Sequence, residues 1–396
     1  MRNYKSATIV TACLVLLGVL FLGSFGRHIW TAFSQEGPAY YSAQMYASYQ
    51  FNMLDHPTGL LVLPDIQGVN YLYIADTGNH QVRRFKIGFG PLVVVTGTGA
   101  PGYVNGSTSV AQFDNPTGLS GTAGLYAYED PFTHQIRQGT YHNVFISDTK
   151  NFVMRKLCSN LGPGPYPPCQ TVQTACGSHN FGMVDGPSLS ASFAGLAGLS
   201  VGGGSNEYYM ADAGNHSIRE WDGSNVSTYA GNGTPGYSNG YRTSAQFYVP
   251  GKMTQDASGN MYIADIENHA IRKIDYAGNV TTLAGAGPTQ PGFVNGTGSA
   301  AEFTRPTSVA FNSSDNMIYV ADSHNNCIRR IDSSGNVTTY AGTGTAGLVN
   351  GSLAQAEFSM PSDIAIANGV MYISDTLNNV IRRIDMNTGI VSTYIS

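Results

Sequence analysis

Charged residues are scarce in this chain of 396 residues: Asp, Glu, Lys and Arg make up 11% of it, whereas an average soluble domain has about 25%. The formal net charge is −5, so the sequence lacks the basic excess that a nucleic-acid partner requires. No Ser, His and Asp constellation can be assembled from it either. We therefore expect neither nucleic-acid binding nor a serine hydrolase.

Glycine and tyrosine, in contrast, are abundant, with 48 Gly and 24 Tyr. Hydrophobic residues make up 42% of the chain, which is enough for a core and excludes wholesale disorder. The length allows one large domain or two ordinary ones. Low charge combined with much Gly and Tyr predicts many short strands joined by tight turns, so we expect an all-β protein.

The N-terminal segment differs from the rest of the chain. Residues 6–26 carry no charge and are bounded by Lys5 and Arg27. This run is long enough to cross a bilayer as a helix and exceeds the apolar part of a cleaved signal peptide, so we expect a membrane-directing helix that acts as a signal anchor. A cleaved signal peptide is the alternative, because Ala32-Phe33-Ser34 resembles a cleavage site. In both cases Arg2 and Lys5 predict a cytoplasmic N-terminus and an exported C-terminal part, membrane-bound or secreted.

The cysteines and sequons agree with export. Cys158 and Cys169 flank the stiff stretch LGPGPYPP, and a disulfide between them would close the base of a loop. A Cys158–Cys176 pair is the alternative, and Cys327 is expected to be a small buried hydrophobe. Nine N-x-[S/T] sequons permit a glycosylated exterior. They lie at Asn105, Asn215, Asn225, Asn232, Asn279, Asn295, Asn312, Asn336 and Asn350.

One pattern recurs six times along the chain, as in YLYIADTGNHQVRRF (71–85) and MYISDTLNNVIRRI (371–384). Aromatic or apolar residues precede an Asp, an Asn follows three residues later, and an Arg follows seven residues later. The Asp residues are Asp76, Asp148, Asp212, Asp265, Asp322 and Asp375. The Arg residues are Arg83, Arg155, Arg219, Arg272, Arg329 and Arg382. Each copy has a strand start upstream, such as Pro57-Thr58-Gly59, and a β-rich stretch downstream, such as NVTTYAG, so each unit predicts four short strands, here called a to d.

At these residues the chain resembles the NHL-repeat family of β-propellers, over roughly residues 50–396. The resemblance implies a six-bladed β-propeller of four-stranded blades, preceded by the N-terminal apolar helix. The last stretch, IVSTYIS, supplies strand d of the sixth unit, so we expect blade 6 to close the ring by packing on blade 1. The predicted division is 1–34 for the membrane-directing segment, 35–52 for a linker and 53–396 for the propeller.

The repeated polar residues are interpreted as structural. If residues 323–326 form a turn, Asp322 faces Cys327 and lies on the same sheet face as Arg329. A metal-binding ring of carboxylates is the alternative, but each Asp has its own Arg. A zinc site built from His80, His216 and His269 would have to span blades 1, 3 and 4. The G-x-G-x-x-G stretches, such as residues 97–106, are followed by no helix, so their glycines are read as positive-φ positions. We predict no metal and no cofactor.

The second unit differs most from the others. It has 32 residues between the strand start at Pro116 and Asp148 (148 − 116), whereas the other units have 14 to 19. The extra residues lie within Ser120–Asn143 and are expected in loop a–b, on the same face as the loop between Cys158 and Cys169. This composition favours a binding interface, although long loops are also simply tolerated in propellers. The candidate binding residues are Tyr126, Tyr128, Phe132, His134, Arg137, Tyr141 and His142.

The sequence as a whole therefore favours a non-enzymatic binding or scaffold module that presents a rigid surface to a protein or glycan partner, as the resemblance also implies. The alternative is a metal-dependent lyase or lactonase-like enzyme with its site in the central channel. Such a site needs His, Glu or Asp converging from the strand starts, where the sequence offers Asp363. The oligomeric state cannot be predicted from the sequence.

Overall fold

Strands dominate the computed structural model, which describes residues 53–130, 133–161, 170–202 and 207–396. The predicted N-terminal helix and linker lie outside these residues. Within them, no helix has both the length and the apolar character needed to cross a bilayer. Residues Leu54–Ser396 form one unit.

Each of the six repeats folds into one antiparallel sheet, or blade. Blades 1 and 2 contain β1 (Pro57–Pro64), β2 (Asn70–Asp76), β3 (Gln81–Lys86) and β4 (Val93–Thr96), then β5 (Gly106–Ser107), β6 (Pro116–Glu129), β7 (Ile136–Asp148), β8 (Val153–Asn160) and β9 (Gln170–Cys176). Blades 3 and 4 contain β10 (Gly186–Pro187), β11 (Leu196–Val201), β12 (Tyr208–Asp212), β13 (Ser217–Trp221) and β14 (Asn225–Ala230), then β15 (Gly240–Tyr241), β16 (Pro250–Gln255), β17 (Met261–Asp265), β18 (Ala270–Ile274) and β19 (Asn279–Ala284). Blades 5 and 6 contain β20 (Gly296–Thr297), β21 (Pro306–Asn312), β22 (Met317–Asp322), β23 (Cys327–Ile331) and β24 (Asn336–Ala341), then β25 (Gly351–Ser352), β26 (Pro361–Ala367), β27 (Val370–Asp375), β28 (Val380–Asp385) and β29 (Ile390–Ile395).

The six-bladed all-β fold is confirmed, but the strand count per blade differs from the prediction. In the described residues, blade 1 has four strands and the other five blades have five. The additional strand is a two-residue piece of the connector that precedes the blade, as where Gly106 pairs with Val172. Arg155 holds this connector, because its guanidinium donates to Val104 O at 2.7 Å and to Asn105 Oδ1 at 2.9 Å. The connector thereby covers a sheet edge that would otherwise be open.

The hydrophobic core lies between adjacent blades. Strand b of the prediction, such as β12 in blade 3, has buried residues on both faces; all five residues of β12 are buried. Each sheet therefore packs against a neighbour on either side. Blades 6 and 1 pack in the same way through Leu60, Ile74, Tyr372 and Ile381. A closed ring of contacts joins the inner strands of the six blades, which are β1, β6, β11, β16, β21 and β26. The predicted closure of blade 6 on blade 1 is confirmed.

Each repeat Asp forms a buried ion pair with the Arg seven residues on. In blade 5, Asp322 lies opposite Cys327, and Arg329 Nη1 is 2.8 Å from Asp322 Oδ2 with both side chains fully buried. The other Asp322 oxygen accepts from Thr304 N at 2.9 Å, and Asn325 Nδ2 donates to Oδ2 at 2.8 Å. Burial raises the pKa of Asp322 to about 6, and the pKa values of Asp148 and Asp265 also rise to about 6.

In four blades the residue that follows the repeat Asp carries a hydroxyl group, which bonds to the inner strand of the next blade. Thr77 Oγ1 donates to Pro116 O, across blades 1 and 2, at 2.6 Å. Equivalent bonds of 2.5–2.7 Å run from Thr149 to Leu196 O, from Ser323 to Pro361 O and from Thr376 to Pro57 O. Blades 3 and 4 have Ala213 and Ile266 at this position, so the two borders of blade 4 have no such bond.

In five of the six blades, the residue that follows the repeat Asn makes a second bond to the next blade; blade 2 has Phe152 at this position. His216 Nδ1 accepts from Val249 N at 3.3 Å, and His269 Nδ1 accepts from Arg305 N at 3.0 Å. Equivalent acceptors are His80, Asn326 and Asn379, for Asn115 N, Met360 N and His56 N. A ring nitrogen that accepts a hydrogen bond is unprotonated, so these histidines act as neutral acceptors between blades.

Candidate binding surface on blade 2

The residues that distinguish blade 2 form a projecting β-hairpin. The segment expected in loop a–b is instead a continuous ladder of β6 and β7, which pair from Pro116 and Asp148 to Glu129 and Ile136. β6 has 14 residues, whereas β1 has 8 and β11 has 6. At about 3.3 Å per residue, β6 therefore extends roughly 20 Å beyond the other inner strands. The loop prediction was wrong because the alternation of small and large residues continues through this segment.

One face of the hairpin carries tyrosines. Tyr126 lies opposite Gly139, and Tyr141 lies opposite Gly124. A Cβ atom on either glycine would overlap the ring of the tyrosine opposite, so each ring lies flat across a glycine of the partner strand. Tyr128 is adjacent, with its ring centroid 5.8 Å from that of Tyr126. The three half-buried rings thereby form a rigid aromatic surface on the hairpin.

The tip of the hairpin is polar. Arg137, opposite Tyr128, places Nε 2.7 Å from Asp130 Oδ2. His134 is exposed and adopts a positive φ of 53° in the turn. Phe132 lies outside the described residues. The structure thus brings Tyr126, Tyr128, Arg137 and Tyr141 onto one face, with His134 at the tip.

His142 lies elsewhere, in the core between blades 1 and 2. Its Nδ1 is 2.9 Å from Tyr73 Oη, and its Nε2 is 3.1 Å from Pro64 O. Because the carbonyl accepts, Nε2 carries the proton and Nδ1 accepts from the tyrosine hydroxyl. The residue is completely buried, and this burial lowers the pKa of His142 to about 4. His142 anchors the base of the hairpin and is no part of its exposed surface.

The opposite face of the hairpin is apolar, and the sequence analysis missed it. Leu125 is 58% exposed and Ile136 is 72% exposed. Leu125 lies between Ala123 and Ala127 on this face, and both alanines are exposed. The signal was present as a period of two: small or apolar residues at 123, 125 and 127 alternate with Gly and Tyr at 124, 126 and 128.

The second predicted loop of blade 2 is partly outside the described residues, which omit 162–169. Cys158 is disulfide-bonded, whereas Cys176 and Cys327 are free and buried. The Cys158–Cys176 pair is therefore excluded. The pairing of Cys158 with Cys169 stays a prediction, because Cys169 is not described.

The central channel contains a charged pair that the sequence analysis did not anticipate. Lys252 from blade 4 reaches Asp363 of blade 6, with Nζ 2.7 Å from each carboxylate oxygen. Ser308 Oγ and Leu60 N also donate to Asp363, each at 2.7 Å. A cavity of about 190 Å³ adjoins this pair and is lined by all six inner strands. The Asp363 carboxylate is thus fully engaged with protein groups. Within the described residues, no cluster of three or more His, Cys, Asp or Glu side chains is placed to hold a metal ion.

Comparison with known proteins identifies relatives of this fold. A family model for the NHL repeat matches residues 303–331. The protein SUPPRESSOR OF QUENCHING 1, chloroplastic, of Arabidopsis thaliana is 28% identical over 340 residues, which cover 81% of this chain and 30% of that protein. Human NHL repeat-containing protein 2 is 26% identical over 364 residues, which cover 82% of this chain and 46% of that protein. The chain thus spans less than half the length of these two relatives.

A solved structure shows the same architecture. An auxiliary nutrient binding protein from Bacteroides thetaiotaomicron superposes with a TM-score of 0.57 at 16% identity. The alignment covers 86% of this chain and 70% of that protein. At this identity the likeness concerns the fold alone.

Proposed function

This chain is an NHL-repeat β-propeller, and we propose that it is a non-enzymatic binding module that captures a protein partner through the hairpin of blade 2. The observation that carries this proposal is the projection of β6 and β7 beyond the other blades, with tyrosines on one face and Leu125 and Ile136 on the other. Exposed aromatic and apolar anchors beside an Arg are the composition of interaction hot spots.

The construction of the hairpin supports this role. Tyr126 and Tyr141 are held across Gly139 and Gly124, so little side-chain entropy is lost when a partner covers them. Its base is fixed to blade 1, because Ile66 N donates to Thr140 Oγ1 at 2.9 Å. A rigid scaffold with a preformed projection is a common way to present a binding surface.

Photo-crosslinking tests this proposal. A benzophenone amino acid at Ile136 of the full chain, expressed in the cells that make it, is expected to give a discrete covalent adduct with another protein. The matched control places the same group at Tyr276, which is 89% exposed and lies in the β18–β19 turn of blade 4. Equal labelling from both positions, or none from Ile136, would contradict the proposal. Adducts that disappear after glycosidase treatment would identify a glycan partner instead.

A deletion gives the second test. Ala127 pairs with Gln138, so replacing residues 127–138 by Asn-Gly leaves Tyr126 opposite Gly139 with a favourable two-residue turn. Partner capture, assayed with the protein identified by crosslinking, is expected to be lost while the circular dichroism spectrum and thermal unfolding are kept. Capture by the shortened chain would place the interface elsewhere.

We further propose that residues 6–26 anchor the chain in a membrane with the propeller on the exported side. The uncharged run and its flanking Arg2 and Lys5 support this orientation. Protease added to intact cells is expected to digest the propeller, and a reporter fused before Met1 is expected to be protected. A protected propeller would reverse the orientation, and its release into the medium would indicate a cleaved signal peptide.

A further inference from the structure

We propose that the projecting part of β6 pairs edge to edge with β6 of a second copy of this chain, as a symmetric antiparallel dimer centred on Leu125. β6 is the edge strand of its sheet. The inner strands of the other blades are shorter than β6. Beyond their ends, the edge of β6 that faces away from β7 is paired with no strand of the described residues.

The hydrogen-bond alternation of the hairpin identifies which backbone groups are open. Asp130 N donates to Gln135 O at 2.9 Å, so these two residues form a hydrogen-bonded pair. In an antiparallel ladder such pairs alternate with pairs whose N–H and C=O groups point outward. Leu161 N donates to Thr140 O at 3.0 Å, which shows that Thr140 is one of the outward-pointing residues. Its partner Leu125 is therefore outward-pointing too.

The same alternation makes Ala123 and Ala127 outward-pointing. These three residues are symmetric about Leu125 in spacing and in size. In an antiparallel pair centred on Leu125, each leucine lies opposite its own copy, and Ala123 of each chain lies opposite Ala127 of the other. Each of the three pairs can exchange two N–H···O=C bonds. The two exposed leucines would also contact each other on one face of the joined sheet.

The edge carries none of the usual protection against such pairing. Natural edge strands are shortened, charged, interrupted by proline or bulged. Residues 119–128 of β6, LSGTAGLYAY, contain no charge and no proline, and the β6–β7 register is regular from Leu119 to Glu129. The tyrosine rings lean across Gly139 and Gly124, so they cover the face of the hairpin and leave this edge open.

The two propellers have room in this arrangement. With the pair centred on Leu125, Gly121 of one chain lies opposite Glu129 of the other. Eight residues at about 3.3 Å per residue separate Gly121 from Glu129. Because Gly121 lies at the base of each hairpin, the two propellers are roughly 26 Å apart. The contact is therefore confined to the hairpins, where it takes up Leu125 and the open edge of β6 and leaves the tyrosine face to the partner proposed above.

Cysteine crosslinking of the full chain tests both the pairing and its register. Directly opposed residues of a hydrogen-bonded pair have Cα atoms about 5.5 Å apart, which is within the disulfide range of about 4.4–6.8 Å. Leu125→Cys is therefore expected to give a disulfide-linked dimer on non-reducing gels, at twice the mass of the 42.1 kDa chain. Ala123→Cys and Ala127→Cys are expected to crosslink when mixed and to give little dimer alone. The unsubstituted chain is the background control, since Cys176 and Cys327 are completely buried.

Two proline variants provide a matched control. Ala127 N–H points away from β7, so Ala127→Pro blocks the edge without removing a bond of the hairpin, and it is expected to abolish the Leu125→Cys crosslink. Gln138→Pro places the same ring on the opposite edge of the hairpin and is expected to leave the crosslink intact. The proposal is wrong if Leu125→Cys gives no dimer, if Ala127→Cys alone dimerises equally well, or if Leu125→Cys crosslinks to a different protein.

Discussion

Acid is expected to weaken the propeller through His142, and the size of the effect follows from its burial. The pKa of His142 falls from an ordinary 6.5 to about 4 in the folded chain. Because the folded pKa is the lower one, the unfolded chain binds the extra proton first, so this stability is present above pH 6.5 and is lost as the pH falls towards 4. At 1.36 kcal/mol per pKa unit, the full loss is about 3 kcal/mol, of which roughly 2 kcal/mol is reached at pH 5.

The measurement is urea unfolding of the chain and of His142→Gln at pH 7 and pH 5. Glutamine keeps a donor and an acceptor without titrating, so it lacks the acid-dependent loss. The unfolding free energy of the unsubstituted chain should therefore fall by about 2 kcal/mol more than that of the variant. Raised pKa values such as that of Asp322 act in the opposite direction, but they are present in both proteins and cancel. An equal fall in the chain and in His142→Gln would refute the reasoning.

Three further substitutions test other contacts by urea unfolding at pH 7. Arg329→Met leaves the buried carboxylate of Asp322 without its cation and should cost about 3–5 kcal/mol; a cost below about 1 kcal/mol would mean that Asp322 is protonated or solvated. Thr149→Val removes the hydroxyl bond between blades 2 and 3 and should cost about 1 kcal/mol, whereas a neutral effect would show that packing alone holds this border. Lys252→Met should lower the free energy of unfolding by about 3 kcal/mol because it leaves the buried carboxylate of Asp363 without its cation. Lys252→Arg should recover part of that loss.

The repeat frame was readable from the sequence because its partners are close together in it. Asp322 and Arg329 are seven residues apart and meet across one turn, so their pairing follows from strand geometry alone. The Lys252–Asp363 pair is different, since 111 residues separate its members. Only the curvature that closes six blades into a ring brings these two strand starts together.

The blade 2 segment shows how a comparison of lengths can mislead. Its extra residues were placed in a loop because the other units are shorter there, in conflict with the alternation at Ala123, Leu125 and Ala127. The structure resolves the conflict because Gly124 and Gly139 accommodate tyrosine rings on the opposite strand. Glycine here serves cross-strand packing, a role that becomes visible once the partner strand is known. The two-residue outer strands were missed for a related reason, since tertiary contacts hold each of them in place, as Arg155 does in blade 2.

The two kinds of bond between blades are unevenly distributed around the ring, and this has a consequence for its behaviour in acid. Both borders of blade 4 have a histidine acceptor, His216 or His269, and lack the bond from a hydroxyl after the repeat Asp that every other border has and that does not titrate. Burial lowers the pKa of both histidines, so their bonds persist at neutral pH and break as the pH falls below 6.5. Acid is therefore expected to weaken both borders of blade 4, in addition to the border between blades 1 and 2 where His142 lies, and a ring weakened at a border comes to resemble a linear repeat protein that unfolds from its ends.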